Sequence, residues 1–143
     1  MGSLEFATGR TIVARLAHGA DLLEEIAGLA ERHGIAAGAL QGLGALQRTR
    51  LAYYDQAARA YAEFDLDGPL ELTCLAGNLS RRDGAPAVHA HLTLADRDGR
   101  ALGGHAAPGC IVFACELVVT ELLGPALDRA LDGVTGLPLW RGV

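Results

Sequence analysis

Between residues 22 and 30 the apolar positions Leu22, Leu23, Ile26, Leu29 and Ala30 recur at intervals of three and four. That spacing stripes one face of an α-helix. Asp21 precedes the stripe with Glu24 three residues on, a pattern resembling a capping box, and Gly34 is placed to end the helix in a left-handed turn. His33 falls in the last turn, where it eases the negative end of the helix dipole, and reads as structural. Elsewhere the period shortens to two. TIVARLA (11–17) alternates and reads as a first strand. After the helix, strand-like segments follow at 35–41, 45–54, 60–66, 69–79, 86–95 and 109–123. DGPLE (67–71), RRDGAP (81–86) and DRDG (96–99) separate them with turn residues. One helix followed by a run of strands predicts an α+β fold, a single compact domain with a largely antiparallel β-sheet and one main helix near the N-terminus. The tail, GPALDRALDGVTGLPLW (124–140), predicts a short helical turn before Trp140.

Composition supports a folded chain, with 50% apolar and 20% charged residues over 143 positions. No apolar run approaches the roughly 18 residues that cross a bilayer, and MGSLEFATGR lacks the features of a secretory signal, so the expected location is cytoplasmic without membrane contact. Net charge is −5, all twelve basic residues are arginine, and they are dispersed. A duplex-DNA binder draws most of its affinity from a basic face, which this chain does not advertise, although arginines can converge across subunits. Cys74, Cys110 and Cys115 have no C-x-x-C spacing and lie in apolar runs, so small buried thiols are expected. IAAGALQGLGAL (35–46) has glycine spacing suggestive of a phosphate loop, but no lysine follows and the helix lies on its wrong side. A strand whose glycines allow a bulge or close backbone approach is the simpler reading.

The chemistry concentrates in HAHLTLADRDGRALGGH (89–105). On a strand His89 and His91 project to the same side, leaving Val88, Ala90 and Leu92 for the buried face. After the DRDG turn the chain can return antiparallel and bring Gly103, Gly104 and His105 alongside. Three neutral imidazoles make a facial metal site with an open position, and glycines before the third permit close approach. Spacing alone leaves the alternative of polar histidines on a wet strand. His18, ahead of the helix, reads as a surface or capping residue. Glu71 and Glu116 interrupt apolar runs; each either pairs structurally or serves beside a metal as an outer partner or proton carrier.

Taken in order, GADLLEEIAGLAERHGIAAGALQGLGAL, YYD, GPLELTCLAGNLS and HAHLTLADRDGRALGGH resemble the PPC (plant- and prokaryote-conserved) domain from about Arg10 to Leu123. The resemblance implies an α+β fold on an antiparallel sheet, assembled as a homotrimer. It also implies metal ligation by His89, His91 and His105, and it matches Glu71 to an acidic residue of the family's G-x-x-E stretch, with Leu72 where isoleucine is frequent. Plant members bind DNA through AT-hooks; this chain has no R-G-R-P motif. GAPAVHAHLTLAD also faintly resembles a first cupin motif, but Asp96 replaces its glutamate and the N-terminal helix fits poorly. The expectation is therefore a homotrimer holding a divalent metal, zinc before others, with hydrolase or lyase chemistry open and no substrate assignable. The alternative is a DNA-binding or transcription-associated protein whose histidines are structural.

Overall fold

A computed structural model describes residues 2–143, ordered as β1 (Ala7–Arg15), α1 (Leu22–His33), β2 (Gly38–Asp55), β3 (Ala60–Leu66), β4 (Leu70–Arg82), β5 (Ala85–Ala95), β6 (Ala101–Ala106), β7 (Ile111–Leu123), β8 (Arg129–Leu131) and β9 (Pro138–Trp140). The helix forms where its apolar stripe lies. Asp21 Oδ1 accepts from the backbone N–H of Leu23 and Glu24 at 2.9 and 3.2 Å, and Gly34 closes the other end at φ 65°. Leu22, Ile26, Leu29 and Ala30 are buried, and α1 packs against β5.

The molecule is mostly antiparallel sheet. Strands follow the order β1-β7-β2-β4-β5-β6, with β3 beside β2, and β2 also pairs with β6. That last pairing, Leu51 with Ala106 and Ala52 with His105, closes the path β2–β4–β5–β6 into a ring. The core gathers Leu40, Leu46, Leu51, Leu72, Leu75, Leu79, Leu92, Leu94 and Leu117, buried leucines from the four strands β2, β4, β5 and β7.

β2 explains the glycine-rich stretch. The two expected strands, 35–41 and 45–54, are one eighteen-residue strand whose register against β4 shifts between Gly42 and Gly44. At Gly44, with φ +157°, a Cβ would lie 2.8 Å from Cys115 Cα and against the Ala114 carbonyl. The glycine thus marks both a bulge and a close approach of β7, as expected.

Two expectations are corrected. The tail forms no helical turn but a β8–β9 hairpin pairing Arg129 with Trp140 and Leu131 with Pro138. Asp132 sets its turn, accepting from the Thr135 N–H and hydroxyl at 2.8 and 2.7 Å, and Pro138 begins an edge strand where its missing N–H costs nothing. Cys74 is exposed, while Cys110 and Cys115 are buried. A register shift between Leu72 and Cys74 turns both Thr73 and Cys74 outward. Among the described residues no helix is long and apolar enough to cross a membrane.

Candidate metal centre

The histidine geometry follows from strand register. His89 and His91 sit on β5 with Ala90 and Leu92 buried behind them and Val88 half-buried. His105 on β6 lies directly opposite His91. Ring centroids are 5.3 Å apart for His89–His91, 5.2 Å for His89–His105 and 5.3 Å for His91–His105. One ligand nitrogen from each ring falls within 4.8 Å of the others. Glycines permit this closeness. A Cβ on Gly103 would stand 2.6 Å from the Leu92 carbonyl, and one on Gly77 would stand 3.0 Å from Ala90 Cα, between the two β5 histidines.

Surroundings favour the neutral form of His89 and His105. His105 is pushed down to about 4, chiefly by burial and then by His89, His91 and Arg129. His89 is also lowered, by burial first, then by Arg129 and His91. Their lone pairs are therefore available at neutral pH. Tyr61, from β3, stacks on His105 with centroids 4.9 Å apart and 27° between planes. Tyr54 meets Tyr61 edge-on at 5.0 Å and donates its hydroxyl to the Thr135 carbonyl at 2.7 Å, linking the site to the tail hairpin.

The triad opens into a cleft of about 580 Å³ bordered by Tyr61, Arg129, Leu137 and Leu139. Arg129 is half-buried there, and its Nε and Nη2 donate to Ser80 Oγ and Asn78 Oδ1, each at 2.8 Å. Asn78 is the β4 partner of His89, so this bond places a guanidinium beside the histidines. Sequence reasoning missed Arg129, Asn78 and Tyr61. Asn78 was visible only within the GPLELTCLAGNLS motif, Tyr61 only as part of an expected strand, and Arg129 lay in a tail expected to be helical.

The other expected residues lie elsewhere. Glu71 and Glu116 are exposed and together border a separate cleft of about 400 Å³ with Leu43 and Phe113. Glu71 is five residues along β4 from Ala76, the partner of His91, or roughly 16 Å at the usual strand rise. Glu116 pairs in register with Arg15 of β1 and Leu43 of β2. His18 is structural. Its Nδ1–H donates to the Phe113 carbonyl at 2.8 Å, which leaves Nε2 to accept from the Gln47 amide at 3.2 Å.

Comparison with known proteins adds lineage to this geometry. Residues 3–123 match the Plants and Prokaryotes Conserved (PCC) domain. A metal-containing protein from Archaeoglobus fulgidus has 40% identity and a TM-score of 0.92, with 98% of this chain and 99% of that one covered. A plant- and prokaryote-conserved protein from Pyrococcus horikoshii has 34% identity and a TM-score of 0.94 over 100% and 99%. A Bacteroides thetaiotaomicron protein with a provisional DNA-binding name shares the fold at 21% identity, TM-score 0.85, over 96% and 97%. The bifunctional protein GlmU of a Synechococcus strain is 35% identical over 129 residues, 89% of this chain but 20% of that protein. The chain thus spans about a fifth of that relative's length.

Proposed function

Because the chain belongs to the Plants and Prokaryotes Conserved domain family, with a metal-containing protein among its relatives, we propose that it binds a divalent metal, zinc before others, through His89, His91 and His105. The observation that carries this reading is the set of three mutually accessible imidazole nitrogens within 4.8 Å. Tetrahedral Zn–N bonds of about 2.0–2.1 Å place ligand nitrogens roughly 3.3 Å apart, so small side-chain rotations close the set. Imidazole donors on two hydrogen-bonded strands are suited to that task. A bound metal would supply a Lewis acid, or a water of lowered pKa, facing the cleft. Tyr61 fixes the plane of His105, and the apolar wall restricts water. Glu71 and Glu116, on the other cleft, are assigned no part in this site; their proposed role is at a subunit interface.

The test is elemental analysis of untagged protein beside a His89→Ala, His91→Ala double variant. About one metal per chain is expected in the wild type and none in the variant. No metal in either, even after incubation with zinc, would overturn the reading and bring the DNA-associated one forward. Charge weighs against that alternative. Arg48, Arg50, Arg82 and Arg100 each face a carboxylate, of Asp65, Glu63, Asp83 and Asp98 respectively. A duplex mobility shift that weakens steeply with salt would support it.

The reading includes a homotrimer. The outer face of β1, β7 and β2 presents Val13, Leu43 and Phe113 at 75%, 58% and 56% exposure, beside the in-register Arg15 and Glu116. β1 ends the strand order, so its outer edge has no partner among the described residues. Apolar side chains beside an open edge are what subunit packing covers.

A further inference from the structure

We infer that the histidine cleft takes a small organic carboxylate, with Arg129 as the residue that recognises its anionic group. The inference deepens the metal reading of the same cleft and rests on it for the ligand's second contact, although Arg129 needs no metal to act.

Arg129 is half-buried, yet it belongs to none of the ion pairs among the described residues, which are Arg10–Glu121, Arg48–Asp65, Arg50–Glu63, Arg82–Asp83 and Arg100–Asp98. A guanidinium drawn partly out of water without a counter-charge is costly to hold. This one is held by neutral acceptors alone: Ser80 Oγ, Asn78 Oδ1 and the Pro138 carbonyl, each at 2.8 Å. Those bonds fix the plane of the fork and use one N–H each on Nε, Nη1 and Nη2. Of five donors, one on Nη1 and one on Nη2 remain. Two donors on a rigid cation match the two oxygens of a carboxylate.

The rest of the cleft selects among anions. Its border combines Ala52, Val88, Leu137 and Leu139 with the stacked Tyr61, and its volume of about 580 Å³ lies within the usual range for a small-molecule site. Arg82 also borders it but faces Asp83 at 3.7 Å. One uncompensated positive charge among apolar walls suits a singly charged carboxylate on an apolar body better than a phosphate carrying nearly two charges. The histidines border the same cleft beside Arg129, within reach of another polar group of a ligand held by the guanidinium.

The protein carries its own reporter. Trp140 is the single tryptophan, and the Arg129 guanidinium carbon lies 5.4 Å from its ring centroid. Neutralising the cation should alter Trp140 emission. The experiment titrates the full chain with cyclohexanecarboxylate, its neutral analogue cyclohexanecarboxamide, and inorganic phosphate, using metal-free and zinc-loaded samples whose metal content is measured. A saturable change with the carboxylate, at least tenfold weaker with the amide and with phosphate, is expected in the wild type. Arg129→Gln should weaken carboxylate binding tenfold or more. Arg129→Lys, which keeps the charge but not the fork, should weaken it several-fold and stands in if the glutamine variant does not fold. Equal responses to acid and amide, saturation by phosphate alone, no saturable response, or an unchanged affinity in Arg129→Gln would each overturn the inference. The two readings fail separately. Arg129-dependent carboxylate binding in a protein that retains no zinc sinks only the metal site. Retained zinc without preference for the carboxylate sinks only the present inference.

Discussion

Gly103 and Gly104 are adjacent in sequence, but their environments differ, and the difference is measurable. A methyl group on Gly103 would meet the Leu92 carbonyl at 2.6 Å, whereas on Gly104 it would rest at ordinary contact, 3.4 Å from Leu51 Cδ1. Gly103→Ala must push β6 away from β5 and part His105 from His91. It is expected to cost about 1–3 kcal/mol and to lower metal retention. Gly104→Ala should be neutral or stabilising by up to about 1 kcal/mol, because strand glycine carries an entropic cost that alanine does not. Thermal unfolding and zinc stoichiometry on both variants check this; equal losses would show that backbone closeness at Gly103 is unimportant. The histidines themselves were legible because strand alternation and one turn determine their relation. Arg129 was not, because its partners Ser80 and Asn78 are 49 and 51 positions away and no local pattern announces them.

At the scale of elements, the helix was the most legible part because its signals are local. Asp21 does more than cap it, since Oδ2 also accepts from the Gly109 N–H at 2.6 Å and ties the helix start to the loop before β7. Asp21→Ala should cost about 1–2 kcal/mol, visible as a lower Tm, and Asp21→Asn distinctly less because an asparagine oxygen still caps. Equal losses in the two would mean that the cap contributes little. A second fastening was invisible in the sequence. Arg10 of β1 grips the Glu121 carboxylate of β7 through Nε and Nη2 at 2.7 Å each, and Nη2 also donates to the His33 carbonyl. The guanidinium holds Glu121 at about 2, below the ordinary 4.5. A lowered carboxylate stabilises the fold above its unfolded value and loses that contribution as pH falls from about 4.5 toward 2. Glu121→Gln should therefore show a flatter decline of Tm across that window than the wild type. Parallel declines would refute this role. β2 and the tail were misjudged for a related reason. Gly42 and Gly44 look like an interruption when their neighbours β4 and β7 are unknown, and the tail's helix-like period yields to Pro138 and the Asp132 turn.

The whole molecule depends on contacts that sequence does not encode locally. Closure of the ring rests on Leu51 and Ala52 meeting Ala106 and His105, and that pairing brings Tyr61 over the metal-ligand candidates. The same closure leaves one broad face unfinished. On β1, β7 and β2 the inward side chains fill the core, while Val13, Leu43 and Phe113 point away from it beside an open strand edge. Burying them against identical copies would remove apolar surface from water at roughly 25 cal/mol per Å² and protect the edge of β1. Light scattering behind size exclusion should then give three times the 14.9 kDa chain mass. Leu43→Glu places a charge beside Glu116, its neighbour in register, so repulsion adds to the lost apolar contact and the assembly should dissociate. The histidines lie on other strands, so the dissociated variant should retain its metal if the site is complete within one chain. A wild-type monomer would refute the trimer. Metal lost together with the assembly would show instead that a neighbouring subunit completes the site.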